Sequence, residues 1–175
     1  RLTPPRLGPL NEVMIFPRIR PLASGERALA REVFGSALQL ETVRLVRMPW
    51  PFTRAFVPGR WFGRDWIVWP EKNHAEDLSA GSLPQQAVFV HEMVHVYQSQ
   101  QGVNLLLAKI RAGDSAESYV YPVHDTCHWQ ALNIEQQAMV VEHRFRLSRG
   151  MRVPADMAFY DRVCPIKPEP DPKII

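Results

Sequence analysis

The spacing of apolar positions changes along the chain, and each change marks a different element. Between Ser24 and Phe34, the residues Ala28, Leu29, Val33 and Phe34 form one apolar stripe at helical spacing, with Ser24 placed to cap the start and Glu26 at the positive end. From Glu41 to Pro70 the texture turns to β-branched and aromatic residues broken by Pro and Gly. Thr42 to Arg47 alternates like a half-buried strand, and Asp65 to Trp69 reads as a second strand ending at Pro70. These runs predict a short antiparallel sheet. After a polar stretch over 71–81, Ser82-Leu83-Pro84 opens a helix that carries Gln85 to Gln101 and stops at Gly102. A last helix is predicted from about His128 to Leu147, closing at Gly150. The order helix, sheet, helix, helix places the chain in the α+β class, with the sheet packed on the second helix.

A length of 175 residues fits one domain. With 46% hydrophobic and 22% charged residues, a wholly disordered chain, a coiled coil and a collagenous fibre are excluded. No run of about 18 apolar residues is present to cross a membrane as a helix. Five of the 16 prolines fall within 1–21 and five more within 154–172, which predicts extended Pro-rich segments at 1–19 and 151–175 around a compact unit over 20–150. The opening Arg1 to Pro5 lacks an apolar signal core and an initiator Met, which reads as a trimmed form of a cytoplasmic protein. Cys127 and Cys164 have no CxxC spacing and predict no disulfide framework.

Residues 1–64 hold eleven Arg and four Glu, or +7, and the remainder holds ten basic and fourteen acidic residues, or −4. The Arg residues are scattered, which favours a solvated face over a nucleic-acid partner. Trp50, Phe52, Phe56, Trp61, Phe62, Trp66 and Trp69 alternate with Arg47, Arg54, Arg60 and Arg64. A sheet packed on the second helix would bury many of these rings. The same mixture suits a protein partner bound through residues 47–69.

The chemistry concentrates in His91-Glu92-Met93-Val94-His95. This HExxH spacing puts two imidazoles at i and i+4 on one helical face, where both can reach one metal ion, and holds Glu92 beside that ion without making it a ligand. With six His and eleven Glu in the chain, about 0.013 such matches are expected by chance. Ala87 to Val90, Met93, Val94, Val96 and Tyr97 make the helix apolar on nearly every side, as in an interior helix. Two imidazoles and a carboxylate there are costly without partners, and zinc satisfies all three. The bland alternative is a pair of hydrogen-bonded core histidines.

A catalytic zinc has three protein ligands and an open position. Glu135, between Leu132, Ala138 and Met139 on an inward face, leads as the third donor, with His128 and His124 behind it. Glu142 could ligate or accept from an imidazole N–H.

Taken with Arg20-Pro21-Leu22, Gly25-Glu26, Leu29-Ala30-Arg31, Val33-Phe34-Gly35, His91 to Gln98, Tyr119-Val120-Tyr121 and Glu135 to Ala138, the chain resembles small Vgr-related bacterial proteins. These are similar to the HExxH metallopeptidase domain found with contractile injection systems, and the resemblance covers roughly 20–150. It implies a zincin-like fold and a gluzincin arrangement, with His91, His95 and Glu135 on zinc and Glu92 as general base.

Such a site would lower the pKa of bound water toward about 7 and let Glu92 take its proton during attack on a carbonyl. The developing oxyanion needs a donor. Tyr119, Tyr121, His124 and His128 are available between the two ligand-bearing helices, and Tyr121 is the first choice. An alternating edge strand accounts for the tyrosines equally well. The reading is therefore a zinc-dependent metallopeptidase or amidase acting on a protein or cell-wall peptide. Its alternative is a zinc-containing, non-catalytic module of a secretion or injection apparatus. A third reading, an Arg/Trp surface for nucleic acid with a structural metal, would require clustered Arg.

Overall fold

The computed structural model describes residues 18–113 and 115–167. Its strands are β1 (Arg18–Pro21), β2 (Val43–Met48), β3 (Phe56–Trp61) and β4 (Arg64–Pro70), in the order β1-β2-β4-β3. The helices are α1 (Ser24–Phe34), α2 (Leu83–Gln100), α3 (Leu105–Ala112), α4 (Ile134–Ser148) and α5 (Met157–Val163). The class is α+β, as expected.

The expected purely antiparallel sheet is corrected to a mixed one. β1 pairs with β2 and β3 with β4 antiparallel, but β2 and β4 run parallel, with Leu45 opposite Ile67. The cause is connectivity. After β2 the chain crosses to the far edge as β3, and a hairpin returns it beside β2 in the direction β2 already had. That hairpin turns on Phe62 and Gly63 with φ of 53° and 70°. Two successive positive φ angles suit the right-handed twist of the flanking strands, and Gly supplies one of them without strain.

One sheet face packs on α2. Leu45, Ile67 and Trp69 meet a helix whose Ala87, Phe89, Val90, Met93, Val94 and Val96 are fully buried. At about 1.5–3 kcal/mol per fully buried large apolar side chain, this contact is the main apolar support of the α2 backbone. Gly102, at φ 86°, ends that helix, with its N–H donating to the Ser99 carbonyl at 3.0 Å. The aromatic cluster divides: Trp69 belongs to the core, whereas Trp50 (86% exposed), Trp61 (58%) and Phe62 (96%) face outward. Burial of many of these rings is therefore not observed, because only one sheet face is covered and the hairpin tip projects beyond it.

Ser24 is not the cap of α1. Ala23 holds the boundary position, and the fully buried Glu26 does the capping by accepting from the Ala23 N–H at 2.8 Å and the Leu78 N–H at 3.0 Å while Arg20 forks onto it. The helix predicted from His128 begins only at Ile134. Asn133 and Gln136 exchange side-chain and backbone bonds there (2.8 and 3.0 Å), which stops the helix from extending backward.

The core also runs past Gly150, which the sequence reading took as the start of a Pro-rich tail. Asp156 caps α5, and Phe159, Tyr160, Val163, Cys164 and Ile166 are buried. Arg162 donates to the carbonyls of His124, Asp125 and Cys127, and Arg144 to that of Ile166. The segment predicted over 1–19 lies outside the described residues except for Arg18 and Ile19, as does the tail beyond Lys167.

Candidate metal centre and its cleft

The site lies where α2 packs against α4. HExxH spacing on an α-helix brings the rings of His91 and His95 to 5.1 Å between centroids, and Glu135, on the first turn of α4, enters between them. The Glu135 Oε2 atom lies 3.3 Å from Nε2 of His91 and 3.4 Å from Nε2 of His95, and all three donor atoms fall within 4.8 Å of one another. Glu135 is fully buried.

Hydrogen bonding on the far side of each ring decides what these atoms can be. Gln137 donates its amide N–H groups to the carbonyls of Trp129 and Leu132, at 3.0 and 3.3 Å, so its Oε1 must face Gln98. Gln98 in turn donates to that Oε1 at 2.9 Å and to the Ile134 carbonyl at 3.0 Å. Its own Oε1 therefore faces Nδ1 of His95 at 2.8 Å, and Nδ1 carries the proton. On the other ring, Nδ1 of His91 donates to Glu142 at 2.9 Å, and the second oxygen of Glu142 pairs with Arg146 at 2.6 Å.

With both Nδ1 atoms protonated, the neutral rings turn two Nε2 lone pairs toward a carboxylate oxygen. Three acceptors then converge with no proton between them, an arrangement that a bound cation or a proton on one ring would relieve. The spacing suits zinc: bonds of about 2.0–2.1 Å in a tetrahedron place donor atoms about 3.3–3.4 Å apart. Two imidazoles and one carboxylate are also a zinc-type donor set with one position left open. Without a cation the cluster is relieved by a proton. Burial opposes charge on His91, but the bonds to Glu135 and Glu142 outweigh it and push the ring up to about 9. Burial likewise pushes Glu135 up, yet the His91, His95 and Lys109 contacts hold it well below the usual carboxylate range.

Glu92 is buried on α2, and its Oε2 has no hydrogen-bond partner. Burial pushes its pKa up. The cluster floors an open cleft of about 1660 Å³, walled by β3, the segment after β4, and α3, and Glu92, His91, His95, Glu135 and Tyr119 all line it.

Of the sequence-predicted residues, His91, His95, Glu135 and Glu92 come together, and Glu142 stands behind His91. His124 and His128 are exposed and do not line the cleft. Tyr121, the first choice for the oxyanion donor, is corrected: it is buried between α4 and α5, its hydroxyl 2.6 Å from Nδ1 of His143 and 2.9 Å from the Tyr160 hydroxyl, and it does not line the cleft. Tyr119 ends a 3₁₀ turn over Ala116–Tyr119, and the extended backbone begins only at Val120, so the two tyrosines do not share a face: Tyr119 lines the cleft, its ring 6.3 Å from that of His91.

Sequence reading missed Gln98, Gln137 and Lys109. Gln98 lies one helical turn after His95 on the same face, a signal that was present; Gln137 becomes meaningful only once α2 and α4 are paired. Lys109 comes from α3, which was not predicted, and donates to Oε1 of Glu135 at 2.7 Å, leaving Oε2 to face the two imidazoles.

No family model matches the sequence. The type VI secretion system spike protein VgrG2b of Pseudomonas aeruginosa is 35% identical over 138 residues, covering 72% of this chain and 13% of the spike protein. The chain thus spans about an eighth of that relative's length. A solved structure of the effector domain of Pseudomonas aeruginosa VgrG2b matches with a TM-score of 0.63 at 31% identity, covering 82% of this chain and 80% of that one. Matched over most of both lengths, this chain belongs to the family of the VgrG2b effector domain.

Proposed function

We propose that this chain is an effector domain of a secretion apparatus that hydrolyses a peptide or amide bond in its cleft, with zinc held by His91, His95 and Glu135. The observation that carries the hydrolytic reading is Glu92, a buried carboxylate with an unpartnered oxygen beside three convergent donor atoms on the floor of an open cleft. A metal serving structure alone has no use for such a group.

When bound, zinc supplies a Lewis acid for the substrate carbonyl and makes water acidic enough to attack near neutral pH. Glu92 accepts the proton of the attacking water and returns it to the leaving amine. Glu142 and Gln98 fix the ring orientations and keep Nε2 of each histidine free as a donor. Lys109 neutralises the outer oxygen of Glu135. Tyr119 is the cleft-side hydroxyl best placed to donate to the developing oxyanion.

The test is Glu92→Gln, assayed with peptide and peptidoglycan-stem libraries and with zinc content measured in both proteins. Zinc occupancy should stay within about twofold while cleavage falls by about 10²-fold or more. Equal cleavage by the variant removes Glu92 from the mechanism. A second reading, to be adopted if the wild type cleaves nothing, is a secretion-apparatus module without hydrolysis; the comparisons, which name a spike protein and an effector domain, support that coarser role.

A further inference from the structure

The charges lining the cleft are segregated. Among the described residues, its only acidic lining residues are Glu92, Glu135 and Glu142, all on the floor, whereas Arg54, Arg60, Lys72 and Lys109 stand on the walls. Arg60 is partly neutralised by Asp65 at 3.6 Å and Lys109 by Glu135 at 2.7 Å. Arg54 and Lys72 are exposed and have no ion pair among the described residues. Arg54 lies two residues before the start of β3, Lys72 sits on the turn after β4, and Lys109 lies on α3. The lining also includes the apolar Phe56, Val57 and Val88.

An occupant of this cleft meets the unpaired cations Arg54 and Lys72 on the sheet side and, among the described residues, no carboxylate outside the floor. Charge complementarity of this kind raises association rate and selects against partners of the same sign. A basic peptide would place its own cations against Arg54 and Lys72 with nothing to offset them, while Asp or Glu side chains would pair with both. The apolar lining positions give a peptide chain more to bind than a simple polyanion can use.

We infer that the cleft selects acidic peptide segments, through Arg54 and Lys72 on the sheet side. This rests on the cleft being the substrate site proposed above, and it names the substrate class of that site.

The experiment uses fluorescein-labelled peptides of one apolar scaffold in which the variable positions are all Glu, all Gln or all Lys, with a single-stranded oligonucleotide of similar charge alongside. Binding to the zinc-loaded Glu92→Gln protein is read by anisotropy, and cleavage of the same peptides by the wild type is read separately. At about 20 mM salt the Glu peptide should bind at least about tenfold tighter than the Gln peptide, with the Lys peptide weakest, and about 0.5 M salt should reduce the contrast to under about threefold. The double variant Arg54→Glu/Lys72→Glu, altered only at exposed positions, should lose the preference and retain its melting temperature. A Glu-to-Gln contrast below about twofold, indifference to the charge reversal, tighter binding of the oligonucleotide, or no binding by any peptide overturns the inference. Because binding and cleavage are read separately, acidic peptides that bind without being cut leave the inference standing and sink hydrolysis. Cleavage without charge preference does the reverse.

Discussion

Gln98→Leu isolates the tautomer relay behind the metal site. The substitution keeps side-chain size and removes three hydrogen bonds at once, leaving the His95 Nδ1–H, the Ile134 carbonyl and Oε1 of Gln137 without their partner. Gln137 cannot turn to compensate, because its N–H groups are committed to the carbonyls of Trp129 and Leu132. Each stranded buried group costs about 1–3 kcal/mol, and added apolar contact returns part of that, so a net loss of about 3 kcal/mol is expected. In a domain of this size that is roughly 6–12 °C in melting temperature. A second effect is separable from the first. With no acceptor at Nδ1, His95 is free to protonate at Nε2 or rotate, and zinc affinity should fall by about 10–100-fold, the range for lost outer partners of a ligating histidine. Denaturant melts of the metal-free protein measure the first effect, and competition titrations against a chromophoric chelator measure the second. A variant that loses stability but binds zinc within twofold of wild type would refute the claim that Gln98 sets the His95 tautomer.

Purified protein reconstituted with zinc should carry about one equivalent by elemental analysis, and His91→Ala, His95→Ala and Glu135→Ala should each lower affinity by orders of magnitude while His128→Ala changes it little. Tyr121→Phe should cost about 1–2 kcal/mol in a denaturant melt, through its lost bonds to His143 and Tyr160, and leave zinc affinity unchanged; a loss of hydrolysis at full stability would return Tyr121 to the reaction. Burial holds the His143 pKa below its usual value, so the folded state prefers the neutral ring. Its contribution to stability is then complete above the unfolded-state pKa of about 6.5 and is lost as pH falls through the lower folded-state value. Melts of wild type and His143→Asn between about pH 4.5 and 7.5 should show a steeper acid-side decline for wild type, and parallel curves would refute this.

What the sequence made legible follows from where packing agreed with pattern. α2 was readable because nearly all its faces are buried, and β2 and β4 because Val43, Leu45, Asp65, Ile67 and Trp69 alternate inward. β3 was hidden by Pro58 and Gly59, which break the pattern of a strand that can tolerate them at a sheet edge. α3 was hidden by Leu106 and Ile110, both 71% exposed, which leave an apolar run without a polar face. α5 occupies seven residues amid prolines, and its order comes from docking on α4 rather than from propensity. The site followed the same division. Spacing within one helix was enough for His91, Glu92 and His95, and an acidic residue among apolar ones pointed to Glu135. Tyr119 and Tyr121 could not be told apart, since the choice depends on the 3₁₀ turn that ends at Tyr119 and on which ring then meets α5.

Helix α4 has two occupied faces. Glu135 and Glu142 face the histidines of α2, while Arg144 and Phe145 look toward the C-terminal segment and the rest of the core. Binding at the first face and docking at the second therefore draw on the same cooperative unit. By mass action, an ion held at a hundred times its dissociation constant adds about 2.7 kcal/mol to the folded state of α4. That gain must appear wherever opening requires α4 to loosen. The amides of α5, which touch no ligand, should consequently exchange with solvent more slowly once metal is bound, making the far end of the chain a reporter of site occupancy.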